Sequence, residues 1–138
     1  MYTHETTVRV RYSETDQMGF VYYGHYAAYF EVARVEAMRQ LGIRYASLEV
    51  DHGILMPVMN MHVRFLRPAG YDALLTIRTA IPSMPDDRIT FHSEIFLENN
   101  KLCTAGRVTL CFLEAATRKR VTVPLFLIDT LKPYFETA

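Results

Sequence analysis

The spacing of apolar residues changes period several times along this chain. Thr7 to Tyr12 alternates Val8, Val10 and Tyr12 with Arg9 and Arg11, the period of two that predicts a half-buried strand. Ser13, Asp16 and Gly19 then supply turn chemistry. From Tyr26 the period lengthens. Tyr26, Phe30, Ala33, Ala37 and Leu41 recur at three or four and share one face, which Tyr29, Val32 and Met38 widen. This predicts a helix over Ala27 to Leu41 with Gly42 as its stop. Its polar stripe is narrow, and Glu31 and Arg34 are expected there as a solvated i,i+3 pair. So apolar a helix must be buried by its own domain or by a partner, and burial in the domain is expected.

Ile43 to Gly53 reads as a short helix with a loop, and Pro57 to Phe65 as a strand. Met59, Met61, Val63 and Phe65 fall on one of its faces; Val58, Asn60, His62 and Arg64 fall on the other. Pro68 closes that strand. Three more strands are predicted over Ala73 to Ile81, Arg88 to Glu98 and Leu102 to Glu114, the last two joined through Asn99-Asn100, a pair that tolerates positive φ. A basic turn over Ala115 to Arg120, a short extended piece at Val121 to Val123 and a helix from Pro124 through Leu131 complete the pattern. One antiparallel sheet wrapped on one long helix is an α+β fold. The helix covers one sheet face only, so the other, with apolar residues at many alternating positions, predicts assembly with another copy.

Composition narrows the function classes. The 138 residues are 50% hydrophobic and 22% charged, which suits a single globular domain over residues 1–138. Fifteen basic and fifteen acidic residues cancel, so no global field draws in nucleic acid or a membrane surface. No run approaches the ~18 apolar residues of a membrane span. The start Met1-Tyr2-Thr3-His4-Glu5 has neither the charge nor the apolar run of a signal peptide. Cys103 and Cys111 lie in one predicted strand, about 26 Å apart at ~3.3 Å per residue, too far for a disulfide. Buried thiols in a reducing cytoplasmic setting are expected.

The chemistry concentrates in Tyr12-Ser13-Glu14-Thr15-Asp16-Gln17-Met18-Gly19-Phe20-Val21-Tyr22-Tyr23-Gly24-His25-Tyr26, directly before the helix. Standing alone, Asp16 would read as a turn or cap residue. No serine nucleophile elbow, Cys–His pairing or His-Glu-x-x-His spacing competes with it. The histidines at 4, 25, 52, 62 and 92 lack ligand spacing, so no metal is expected.

This stretch, followed by Tyr29-Phe30-Glu31-Val32-Ala33-Arg34, resembles the 4-hydroxybenzoyl-CoA thioesterase family, and within it the YbgC-type acyl-CoA thioesterases. The resemblance extends over nearly the whole chain. It implies a hotdog fold, a curved antiparallel sheet of five or six strands around one long central helix. It also implies hydrolysis of an acyl-coenzyme A to a free acid and thiol, with Asp16 as nucleophile or general base. The backbone N–H at Tyr23 would polarise the thioester carbonyl, and Tyr12 would lie beside the aspartate. Many YbgC-type members carry histidine at the position of Tyr23 and asparagine at that of His25. The imidazole is thus displaced here by two residues, and His25 stands between a site role and a helix-start hydrogen bonder.

Around this centre, Gly24 would allow close backbone approach, with Tyr22 and Tyr26 as pocket wall and Asn60 and His62 lining it at a subunit boundary. Coenzyme A is polyanionic, so Arg88 and Arg118 in the Arg118-Lys119-Arg120 turn are candidates for its phosphates. Met18, Met56, Met59 and Met61 could furnish an adaptable acyl pocket. No cofactor beyond the coenzyme A of the substrate is implied, and the family's sites lie between subunits of a homodimer or homotetramer. Two rivals remain open: a non-catalytic acyl-CoA-binding protein and an acyl carrier protein thioesterase. A hotdog dehydratase would need a histidine with an acidic partner, which this pattern lacks.

Overall fold

A computed structural model describes residues 1–136 of the chain. Strand β1 (Tyr2–Arg9) leads through the loop of interest into helix α1 (Tyr26–Gln40). A short helix α2 (Leu48–His52) follows, then β2 (Ile54–Leu55) and β3 (Val58–Phe65). The chain continues through β4 (Leu74–Ile81), β5 (Arg88–Phe96), β6 (Leu102–Glu114), β7 (Arg120–Val121) and helix α3 (Leu125–Leu131). Every strand pairing is antiparallel. The long strands lie in the order β1-β4-β5-β6-β3, and the two-residue strands β2 and β7 flank the far end of β6. This is one curled sheet around one long helix, as the sequence pattern and the family resemblance both imply.

Strand β1 starts five residues earlier than its alternation predicts. Tyr2 pairs with Ile81 and the register runs without a break to Arg9 opposite Leu74. Its inward positions include His4 and Thr6, whose polarity hides the period. Beyond Arg9, Val10 still donates to the Ala73 carbonyl at 2.9 Å and accepts from Asp72 at 3.0 Å. The chain then turns at Tyr12–Glu14 instead of continuing as strand. Asn100 has φ +66°, in line with its reading as the turn between β5 and β6, although β5 stops at Phe96.

The core lies between α1 and the sheet. Phe30 is 1% exposed, and burying such a ring contributes about 1.5–3 kcal/mol. It sits where β6 has no side chain. A Cβ built on Gly106 would stand 2.5 Å from the Phe30 ring, so glycine is what lets the helix approach. Register places Val63, Gly106, Ser93, Thr79 and His4 in one row beneath the helix. At the other end of α1, the Tyr2 hydroxyl donates to the Ala37 carbonyl at 2.6 Å, and burial pushes that phenol up to about 12. Arg34 departs from its expected solvated pairing. It is 7% exposed, no ion pair joins it to Glu31 among the described residues, and its charge lies beside the buried Tyr45 phenol. Both cysteines are buried thiols.

At its β3 edge the sheet is open. Val63 alone among the β3 residues is half-buried; the rest are exposed, including Val58, Met59, Met61 and Phe65.

The contact between Phe30 and Gly106 makes a sharp prediction. Gly106→Ala overpacks the helix–sheet interface and lowers the unfolding free energy by about 1–3 kcal/mol. Denaturant unfolding should show a lower midpoint at unchanged slope, with partial recovery in the Gly106→Ala/Phe30→Leu double variant. An unchanged midpoint would contradict the packing described.

Candidate active site

The loop between β1 and α1 is tied to itself and to the β3–β4 connection. Thr15 bridges Val21, and Phe20 bridges Gly70. The Asp16 N–H donates to the Phe20 carbonyl at 2.7 Å, and the Asp16 carbonyl accepts the Gly19 N–H at 3.0 Å. Closing so tight a turn puts Gly19 at φ +82°, a region that glycine enters without a steric penalty. Oδ1 of Asp16 accepts the N–H groups of Met18 at 2.9 Å and Phe20 at 3.2 Å, an Asx turn that fixes the carboxylate plane. Oδ2 has no protein hydrogen bond among the described residues, so one oxygen is committed to structure and the other is available for chemistry.

The chain returns through Tyr22, whose N–H donates to the Glu14 carbonyl at 2.9 Å, and enters a helical turn at Tyr23–His25 that runs directly into α1. The Tyr23 and Gly24 N–H groups donate to no main-chain acceptor among the described residues. They are the free donors of a helix start, where the dipole favours negative charge. A Cβ at Gly24 would lie 2.9 Å from the exposed Tyr22 ring, which would have to turn aside to admit it. That ring packs on Tyr23 at 4.7 Å and on His25 at 6.1 Å between centroids.

A cavity of about 310 Å³ opens beside these groups, with Asp16, Met18, Phe20 and Val21 on one side. Tyr23 and Tyr26 from the helix start and Phe65 to Pro68 from the end of β3 close it. Tyr26 is 4% exposed and its hydroxyl lies 3.6 Å from Cys103 Sγ. Burial first, and the adjoining thiol second, hold that phenol above its usual range. Cys103 Sγ in turn donates to the Arg67 carbonyl at 3.2 Å, bracing two walls together. Arg67 places a cation on the wall, one arm bound to the Leu102 carbonyl at 2.8 Å.

The structure therefore brings Asp16, Tyr23 and Tyr26 together, with Gly24 and Tyr22 immediately behind. Tyr12 is 78% exposed with its ring against Tyr71, and His25 packs on Tyr22; neither lines the cavity. Asn60 and His62 are exposed on the face of β3 turned away from α1, since Val63 shares the Gly106 side. Arg88 is registered with Cys111 and ion-paired with Asp87 at 3.5 Å; Arg118 lies in the turn beyond β6. Cys103, beside the cavity, is about 26 Å along the strand from Cys111, so within one chain these two arginines do not reach Asp16. Of the four methionines considered for an acyl pocket, Met18 alone is in the wall. Sequence reasoning missed the Phe65–Pro68 wall, whose one signal was the strand-ending Pro68. Among the described residues no three His, Cys, Asp or Glu side chains gather as a metal site.

A fixed carboxylate facing an apolar cavity, with free N–H donors at its rim, can attack or activate water against a carbonyl that those donors polarise. Comparison with known proteins fits that chemistry. A family model described as the thioesterase-like superfamily matches residues 10–131. The putative acyl-CoA thioesterase YneP of Bacillus subtilis is 35% identical over 81 residues, covering 59% of this chain and just 58% of that protein's length. The acyl-CoA thioester hydrolase YbgC of Escherichia coli is 30% identical over 125 residues, 91% of this chain and 92% of that one. A crystal structure of the DHNA-CoA thioesterase of Staphylococcus aureus superposes with a TM-score of 0.83 at 32% identity, over 98% of this chain and 85% of the other.

The Asx turn separates the structural role of Asp16 from its chemical one. Asp16→Asn keeps an oxygen that accepts both N–H groups, and its melting should match the parent to within about 0.5 kcal/mol. Asp16→Ala strands two donors and should lower stability by about 1–2 kcal/mol. Equal melting of the two variants would refute the turn.

Proposed function

This chain belongs to the thioesterase-like superfamily, and on that premise we propose that it hydrolyses acyl-coenzyme A to a carboxylic acid and free coenzyme A, with Asp16 as the reacting carboxylate. One observation carries the reading: Asp16 has one oxygen saturated by backbone N–H groups and the other open in the cavity that Tyr23 also lines. The thioester carbonyl is set against the Tyr23 and Gly24 N–H groups, which stabilise the negative charge that grows on its oxygen. One such donor contributes roughly 2.7–4 kcal/mol to the transition state in known oxyanion holes. Asp16 either attacks the carbonyl carbon, expelling the thiolate and leaving an anhydride that water cleaves, or removes a proton from the attacking water. Both routes consume only water and thioester, so no cofactor is invoked. Tyr23 contributes its main chain, which accommodates the loss of the imidazole found there in related enzymes.

The working unit in this proposal is a homodimer or homotetramer with sites between subunits. The exposed apolar edge at β3 supports it, since an unpaired strand rim is a ready template for a second strand. Twofold antiparallel pairing would set the Val58 end of one β3 beside the Phe65 end of the other. The partner's Arg88 and the partner's Arg118 would then approach this cavity from the far end of β6, where coenzyme phosphates need cations. Free buried cysteines fit a cytoplasmic setting, and no helix among the described residues is long and apolar enough to cross a membrane.

A thiol-release assay over a panel of aromatic, short and long acyl-CoAs tests the activity. Asp16→Asn should lower kcat by about 10²–10⁴-fold; unchanged turnover would sink the assignment, and binding without thiol release would convert it to an acyl-CoA-binding protein. Sedimentation should report a dimer or tetramer, with Met61→Arg reducing both mass and activity. A fully active monomer would exclude a shared site.

A further inference from the structure

Glu14 lines no wall of the cavity, yet it contacts both the loop and the helix that carry Asp16 and the Tyr23–Gly24 N–H groups. Its side chain is 13% exposed. Oε1 accepts the Arg11 N–H at 2.8 Å and the Tyr29 hydroxyl at 2.9 Å, while its carbonyl accepts the Tyr22 N–H at 2.9 Å. The Arg11 guanidinium stands 3.7 Å from Oε2 on a side chain that is 80% exposed, and an ion pair so exposed contributes only about 0–1 kcal/mol. Charge pairing therefore does not account for burying this carboxylate. Its inward partner is Tyr29, 3% exposed in the first turn of α1, whose phenol is held above its usual range by burial and then by Glu14.

The connectivity gives these bonds a purpose. Glu14 is two residues from Asp16, and Tyr22 immediately precedes Tyr23. Through its main chain Glu14 fixes the segment that leads into the N–H donors, and through its side chain it fixes the helix those donors begin. We infer that Glu14 is a positioning residue, which sets the separation between the Asp16 carboxylate and the Tyr23–Gly24 N–H groups through its bonds to Tyr22 and Tyr29. The inference rests on the hydrolase reading above. A misplacement near 1 Å costs about 10²-fold in rate when reacting groups must be held in line. A purely structural role would instead change melting and leave the rate of the folded enzyme alone.

Steady-state kinetics on Glu14→Ala, Glu14→Gln, Tyr29→Phe and the Glu14→Ala/Tyr29→Phe double variant decide the matter, at a temperature well below every melting point. Glu14→Ala and Tyr29→Phe should each lower kcat by about 10–100-fold, with KM within about threefold of the parent. Glu14→Gln retains an oxygen for both donors and should keep kcat within about threefold. The double variant should be no slower than the worse single one, because both changes cut the same bond. Tyr29→Phe removes one hydroxyl without altering volume, so it reports even where Glu14→Ala folds poorly. Parent-like kcat in Tyr29→Phe, failure of Glu14→Gln to restore turnover, or additive losses overturn the positioning role. With Asp16→Asn inactive, those results leave the hydrolase reading standing; a parent chain that releases no thiol overturns both.

Discussion

How closely α1 can approach the sheet decides most of what this molecule is able to do. Phe30 fills the space left by the missing side chain at Gly106, and the Tyr2 hydroxyl ties β1 to the Ala37 carbonyl near the helix end. With the helix axis fixed at these points, its first turn has a defined height above the sheet. The loop carrying Asp16 is then measured against that turn through Glu14 and Tyr29. Packing in the core and geometry at the Asp16 carboxylate are thus one problem. A small side chain in the wrong strand would be felt at the helix start.

The polar groups of the site are arranged so that few are left to choose their own orientation. Asp16 uses one carboxylate oxygen to hold the turn that presents the other, which removes side-chain freedom before any substrate arrives. Tyr26 and Cys103 satisfy each other behind the cavity wall, where an unpaired hydroxyl would carry a desolvation penalty. The free donors at Tyr23 and Gly24 are the exception. A helix start leaves its first N–H groups without main-chain partners, and at this exposed rim water or a bound ligand can take them.

Much of this was legible in the sequence, for identifiable reasons. The long helix showed itself because its buried positions are nearly all apolar, and Asp16 because its neighbours match a family pattern. What escaped notice lies where chemistry and burial part company. His4 and Thr6 face inward from β1 although they are polar, so alternation could not show the strand's first half. Arg34 is buried although it is charged. The Phe65–Pro68 wall meets Asp16 only through folding, and no local period encodes a contact between positions some fifty residues apart. Glu14 looked like one more surface acid in a polar turn. Only the hydroxyl of Tyr29, a turn into the helix, distinguishes it.

The irregular start of β3 has a consequence for what can pair with it. Pro57 precedes the strand without an N–H to offer, and the register slips between Val58 and Asn60, so the ladder is interrupted at its beginning. A strand arriving at the open edge finds regular donors and acceptors only from Asn60 to Phe65. That stretch is short, and Arg64 puts charge within it. Random β-pairing gains little from so brief a run. An edge so interrupted is a poor template for indiscriminate strand addition, the standing hazard of an unpaired β-strand.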